Sequence, residues 1–404
     1  MKHSIDDLAI LGGSPTFQNK LHVGKPNIGN RKRFLARLND ILDQKWLTND
    51  GPYVQQFEER IRELTGVKNC VATCNGTLAL EIAIKAAQLT GEVIVPAFTF
   101  VATAHALQWL DIVPVLCDVD ASHNIDPHQV EQMITPRTTA IIGVHLWGRP
   151  CDIAALTNLA ERHNLKLLFD AAHAFGCSYK GRMIGNFGTA EIFSFHATKF
   201  LNAFEGGAIV TNDDELASNA RLMRNFGFAG YDNVVQLGTN GKMNEVSAAM
   251  GLTSLESLAD FIEVNRNNYE TYSRELADVR GLSLSKYNEN EKCNYQYVVL
   301  HVDPDVTTID RDQLVEVLWA ENVIARKYFA PGCHRMSPYR SQYSAANSRF
   351  HFTELLSERL LCLPTGTAIT EKDILEICAI IRLVIQNGDE VARKIQGRHM
   401  RLRT

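Results

Sequence analysis

The middle of this chain alternates short, wholly apolar runs with amphipathic stretches, and that pattern leaves few folds open to it. NCVAT, EVIVP, VPVLCDV, TAIIGVHLWG, LKLLFDA and AEIFSF read as strands; they are short for helices and lack the strict alternation of a strand with one wet face. GTLALEIAIKAAQ, FVATAHALQWL and IAALTNLAERH lie between them, with apolar residues at helical spacing. Strands alternating with crossover helices argue an α/β fold built on a mostly parallel sheet covered on both faces. Two more helices are predicted ahead of the sheet, over Arg31 to Lys45 and Tyr53 to Leu64.

From about Asn244 the pattern changes. EVSAAMGLTSLESLADFIEVNRNNYETYSRELADV reads as one long helical segment with a break. A smaller unit follows, with NYQYVVLHV as a strand and DRDQLVEVLWAENV and EKDILEICAIIRLVIQNG as helices. The predicted division falls near residue 260, giving a large domain over 1–260, N-terminal segment included, and a smaller C-terminal α/β domain over 261–404.

Composition narrows the function. A net charge of -5 gives no electrostatic reason to bind nucleic acid. The basic tail (Arg393, Lys394, Arg398, Arg401, Arg403) reads as a solvated helix end and a frayed terminus. Nine scattered cysteines without a second closely spaced pair argue free thiols rather than a metal site. The opening residues are too polar for a secretory signal and no apolar run approaches membrane-spanning length, so a cytoplasmic protein is expected.

Parallel strands deliver functional groups at their carboxyl ends. LKLLFD runs into Asp170, which is set either to contact something buried or to cap a helix. After AEIFSF come Ser194 and Lys199, the lysine in a tight turn before Glu205-Gly206-Gly207 and a second strand, AIVTN. A lysine held among apolar and small residues loses water, which lowers its pKa and makes it a nucleophile. In TCNGTLAL, Gly76 permits close backbone approach and Thr77 opens a helix whose free amides favour an anion, although such tripeptides are common in turns. In PAFTFVATAHA, Phe100 begins a helix beside this site, or packs in the core.

These motifs resemble the DegT/DnrJ-type nucleotide-sugar aminotransferases, pyridoxal-phosphate enzymes of fold type I related to aspartate aminotransferase. The resemblance runs from about Pro26 to the last helix and includes LTNDGPYVQQFEE, NGTLALEIA, VPAFTFVATAHA, HLWGRPCDI, DAAHAFG, SFHATKFLNAFEGGAIVTND, GTNGKMNEVSAAMGL, YFAPGCH and LPTGT. It implies that Lys199 is the Schiff-base lysine and Asp170 the acid at the pyridinium nitrogen. Ser194, Gly76 and Thr77 would bind the cofactor's phosphate and Phe100 would stack on its ring. His173 departs from the family's commoner glutamine, yet can still donate one hydrogen bond to the phenolic oxygen.

The same resemblance implies a homodimer with shared active sites, Asn240 and Lys242 reaching the neighbour's site; each otherwise reads as part of an ordinary turn. Lysine at 199, where some relatives carry histidine and deoxygenate, implies transamination. The expected reaction moves an amino group from L-glutamate to position 4 of dTDP-4-keto-6-deoxy-D-glucose. Amination at position 3, a non-catalytic cofactor-binding regulator and desulfuration are the alternatives. Thr48, Asn49, Tyr328 and His334 are candidate sugar or nucleotide contacts.

Overall fold

Seven of the apolar runs pair edge to edge in the computed structural model, which describes residues 2–343 and 349–401, with side chains as far as residue 396. In chain order the strands are β1 (Asn69–Thr73), β2 (Glu92–Pro96), β3 (Val113–Cys117), β4 (Thr138–Val144), β5 (Lys166–Asp170), β6 (Ala190–Ser194) and β7 (Gly207–Thr211). Their order across the sheet is β1-β7-β6-β5-β4-β2-β3. All run the same way except β7, which is antiparallel to both neighbours. A parallel neighbour needs a crossover, whereas β6 and β7 are joined by a loop without a helix, so the chain can only return alongside. That loop carries Lys199.

Both faces are covered, as uninterrupted apolar strands require. On one face Val71, Ile142, Leu168 and Ile192 pack with α3 (Gly76–Ala86), α4 (Ala102–Gln108) and α7 (Asp214–Met223). On the other, Cys70, Ile141, Phe169 and Phe193 pack with α2 (Pro52–Thr65), α6 (Ile153–Arg162) and α8 (Glu245–Glu256). Ahead of these elements α1 (Arg31–Gln44) lies against α8; the remaining helix of this part is α5 (Pro127–Met133). The predicted long helical segment breaks at Ser257, between α8 and α9 (Leu258–Leu276).

A second core gathers around an antiparallel sheet of β8 (Leu282–Leu284), β9 (Val298–Val302) and β10 (Leu360–Leu363), with α9, α10 (Arg311–Ala320) and α11 (Glu371–Gln386). The N-terminal segment, grouped from the sequence with the first 260 residues, packs here instead. Ile5 and Leu8 join this core, and Leu21–His22 pairs with Val323–Ile324. The buried carboxylate of Glu321 accepts from the amides of Ala9 (2.7 Å) and Thr16 (2.8 Å), which fastens the segment down. In the basic tail, Arg393 is exposed and Lys394 pairs with Asp6 at 2.6 Å. The side chains of Arg398 and Arg401, and all of Arg403, lie outside the described residues. No helix among the described residues is long and apolar enough to cross a membrane.

Candidate active site

The carboxyl ends of β5 and β6 and the amino end of α3 meet in a cavity of about 310 Å³. Gly76, Thr77, Phe100, Asp170, His173, Ser194, Lys199 and Tyr328 all line it. Eight residues selected from five separate stretches of sequence thus converge on one space.

Asp170 ends β5, pointing to the α4 side. It caps no helix. Its Oδ2 accepts from Thr103 Oγ1 at 2.8 Å and its Oδ1 from the Ala172 amide at 3.1 Å. Two donors to the ionised form hold the carboxylate in one orientation at the cavity floor.

Lys199 lies in the β6–β7 loop, in a turn closed by its own amide donating to the His196 carbonyl at 2.8 Å. Loss of water pulls its pKa down to about 8, and the Asp170 carboxylate acts in the opposite direction. A substantial fraction of this amine is therefore neutral at mildly alkaline pH. The lysine stands between two strands as the sequence suggested.

His173 is buried, and burial followed by the nearby Lys199 charge holds its pKa well below the ordinary range. The Trp147 amide donates to its Nδ1 at 3.2 Å, which leaves the proton of the neutral ring on Nε2. One face of the ring is stacked on Phe329, centroids 5.8 Å apart and planes 9° from parallel. The ring is thus a fixed, uncharged donor.

Gly76, Ser194 and Gly207 make a close junction between helix and sheet. A Cβ on Gly76 would stand 3.0 Å from Ser194 Cβ, and one on Gly207 would stand 2.7 Å from the Gly76 nitrogen. Asn75 caps α3 by accepting the Leu78 amide at 2.8 Å. The amides of Gly76 and Thr77, ahead of the first helical bond, remain for an anion beside Ser194. Phe100 precedes α4 rather than opening it, and its ring is 55% exposed over the cavity instead of packing in the core.

Five candidates lie elsewhere. His334 does not reach the cavity: it is buried in the Cys333–Arg335 turn, stacked on Phe350 (centroids 4.3 Å apart) with Nε2 2.6 Å from Glu354 Oε1. Asn49 and Lys242 line a separate recess of about 220 Å³ with Asp50 and Arg224. Asn240 accepts from Lys242 Nζ at 2.7 Å, and Thr48 is exposed. Sequence reasoning missed Thr103, Tyr297, Arg326 and Phe329. Thr103 was legible in principle, one helical turn past Phe100 in FVATAHA; the others sit in segments whose relation to the sheet only tertiary packing sets.

The donor set fits pyridoxal phosphate: an amine freed of part of its hydration, a carboxylate held opposite, an anion cradle that a Cβ would fill, and aromatic walls. Comparison with known proteins agrees. Residues 29–382 match the DegT/DnrJ/EryC1/StrS aminotransferase family. The dTDP-4-amino-4,6-dideoxy-D-glucose transaminase of Escherichia coli is 35% identical over 363 residues, covering 89% of this chain and 97% of that one. GDP-perosamine synthase of Caulobacter vibrioides is 33% identical over 375 residues, 91% of this chain and 98% of its own. Among solved structures, DesI crystallised in the presence of its TDP-sugar product superposes with a TM-score of 0.93 at 47% identity, covering 97% of this chain and 100% of its own. The chain belongs to the DegT/DnrJ/EryC1/StrS aminotransferase family and is a pyridoxal-phosphate-dependent sugar-nucleotide aminotransferase.

Proposed function

We propose that the protein transfers an amino group from L-glutamate to position 4 of a nucleotide-linked 4-keto-6-deoxyhexose, dTDP-4-keto-6-deoxy-D-glucose. The convergence of a depressed-pKa Lys199, the held Asp170 carboxylate and the Gly76–Ser194 cradle in one cavity carries the chemistry. The sugar assignment is supported by the name of the E. coli relative and by the TDP-sugar product present with DesI, a solved structure that superposes on this chain.

Bound there, pyridoxal phosphate supplies an aldehyde and an electron-withdrawing ring. Lys199 would hold it through Nζ, and the same amine, when free, would act as the base. Its Nζ takes the proton from the α-carbon of the donor amino acid and later delivers a proton to the sugar carbon. Asp170 holds a proton on the ring nitrogen. His173 Nε2–H would donate to the phenolic oxygen, the amides of Gly76 and Thr77 with Ser194 Oγ would bind the phosphate, and Phe100 would cover the ring. Tyr328, which lines the same cavity, would contact the sugar.

Asn240 and Lys242 act across a homodimer, reaching the site of the second subunit. Exposed apolar side chains support such an assembly: Leu42, Trp46 and Leu47 along and after α1, and Phe226, Val235 and Leu237 before Asn240. Two structural units divide near residue 260, and the first twenty or so residues belong to the second. Incubation with dTDP- and GDP-linked 3- and 4-ketosugars, with product structures by NMR, tests the assignment. Turnover restricted to a 3-ketosugar would reject it. Failure of glutamate to bleach the cofactor absorbance and release 2-oxoglutarate would favour a binding protein without turnover.

A further inference from the structure

A second recess, of about 450 Å³, is lined in part by Gly148, the residue after Trp147, whose amide bonds His173. It is lined by Arg149, Lys180 and Lys286 together with Ser122, Tyr287 and Asn288. Arg149 is partly buried, and loss of water depresses its pKa. Among the described residues its side chain's one polar contact is His123 Nδ1, at 3.2 Å. Among those residues, too, no carboxylate stands within ion-pair distance of Arg149, Lys180 or Lys286, although Asp120 acts on the guanidinium through space. The one acid on the wall, Glu291, keeps its charge but pairs with none of the three cations: it accepts from Ser178 Oγ at 2.5 Å and from the Gly181 amide at 3.1 Å. The neighbouring histidines bring no anion, although His123 accepts from the guanidinium. Burial lowers the pKa of His123 to about 3 and that of His301 to about 4, so both are neutral at physiological pH. A guanidinium withdrawn from water without a counter-ion is costly, and two further cations at the same mouth add to the imbalance. Guanidinium geometry matches a planar or tetrahedral oxyanion held by paired N–H donors.

We propose that this recess is an oxyanion-binding site, distinct from the cofactor cavity, for a small molecule bearing phosphate or carboxylate groups. Arg149 anchors the ligand and Lys180 and Lys286 close over it. The site communicates with the catalytic cavity through one layer of chain. The Trp147 amide positions His173, a Cβ on Gly148 would stand 3.0 Å from the His173 carbonyl, and the Tyr287 hydroxyl, which donates to the Tyr297 carbonyl at 2.8 Å, stands 3.4 Å from the Trp147 carbonyl.

Calorimetric titration of the cofactor-loaded enzyme with inorganic pyrophosphate in one arm and citrate in the other tests the proposal. Binding of at least one of them is expected to weaken about tenfold or more in Arg149→Gln and to survive in Arg149→Lys; the arm that shows this effect identifies the phosphate or carboxylate source. Lys286→Gln, at an exposed position, is expected to weaken the same binding, which keeps the test open if Arg149→Gln disturbs folding. Absence of binding in both arms, or binding unchanged in Arg149→Gln and Lys286→Gln with the thermal transition and cofactor absorbance intact, would overturn it.

Discussion

Lys199 is unusual among lysines because the fold takes water from it and gives back only one opposing carboxylate. Its folded pKa, about 8, lies below the ordinary value of 10.5. Between those two pH values the unfolded chain binds the extra proton, so the stability of the cofactor-free protein rises with pH across that window and the penalty is fully present below it. Cofactor-free Lys199→Met is therefore expected to be more stable than cofactor-free wild type at pH 7, by ~1–3 kcal/mol once partial exposure is discounted, with the gap closing towards pH 10.5. Denaturant titration at several pH values checks both sign and window. His173 makes a separate prediction. Glutamine can accept the Trp147 amide through its oxygen and donate into the cavity through its nitrogen, whereas leucine can do neither. His173→Gln should keep kcat within about tenfold of wild type, while His173→Leu loses on the order of 10²-fold. Since burial already keeps the ring neutral, no titration belonging to His173 is expected near the ordinary histidine range in the kcat profile.

Among the elements, the β6–loop–β7 return and the start of α3 matter most, because their junction is closed by glycines. A methyl at Gly207 would press on the Asn75–Gly76 backbone, which cannot yield as a side-chain tip could. Gly207→Ala is expected to weaken pyridoxal phosphate binding at least about tenfold, measured by equilibrium dialysis, with a loss of stability on the order of 1–3 kcal/mol. Much at this scale was legible beforehand. The β-strands were readable because burial on both faces leaves them with few polar residues inside. Asp170 and Lys199 stood out because each follows such a run, where a charge needs a reason. His334 was misplaced for the opposite cause: GCHRMSP looks like an exposed loop, but the Cys333–Arg335 turn carries the ring under Phe350. The N-terminal segment was grouped with the first 260 residues because Ile5 and Leu8, its inward residues, are too few to form a pattern. Thr103 escaped notice since a threonine on the inner face of a short helix has no signature until its strand-end partner is known.

For the whole molecule, Asn240 and Lys242 lie away from their own chain's cavity, and the homodimer proposed above turns that position into a prediction. Lys199→Ala and Lys242→Ala subunits, each inactive alone, are expected to recover roughly a quarter of wild-type activity when unfolded and refolded together, since half the dimers are mixed and each mixed dimer holds one intact site. No recovery, with mixed dimers demonstrated by native mass spectrometry, would confine Lys242 to its own chain. The catalytic assignment as a whole depends on a single nitrogen. Borohydride reduction of the cofactor-loaded enzyme, followed by proteolysis and mass spectrometry, should leave the pyridoxyl group on Lys199 alone, and prior treatment with L-glutamate should prevent the adduct. A pyridoxyl group on any other lysine, or an adduct on Lys199 that glutamate leaves untouched, would contradict it.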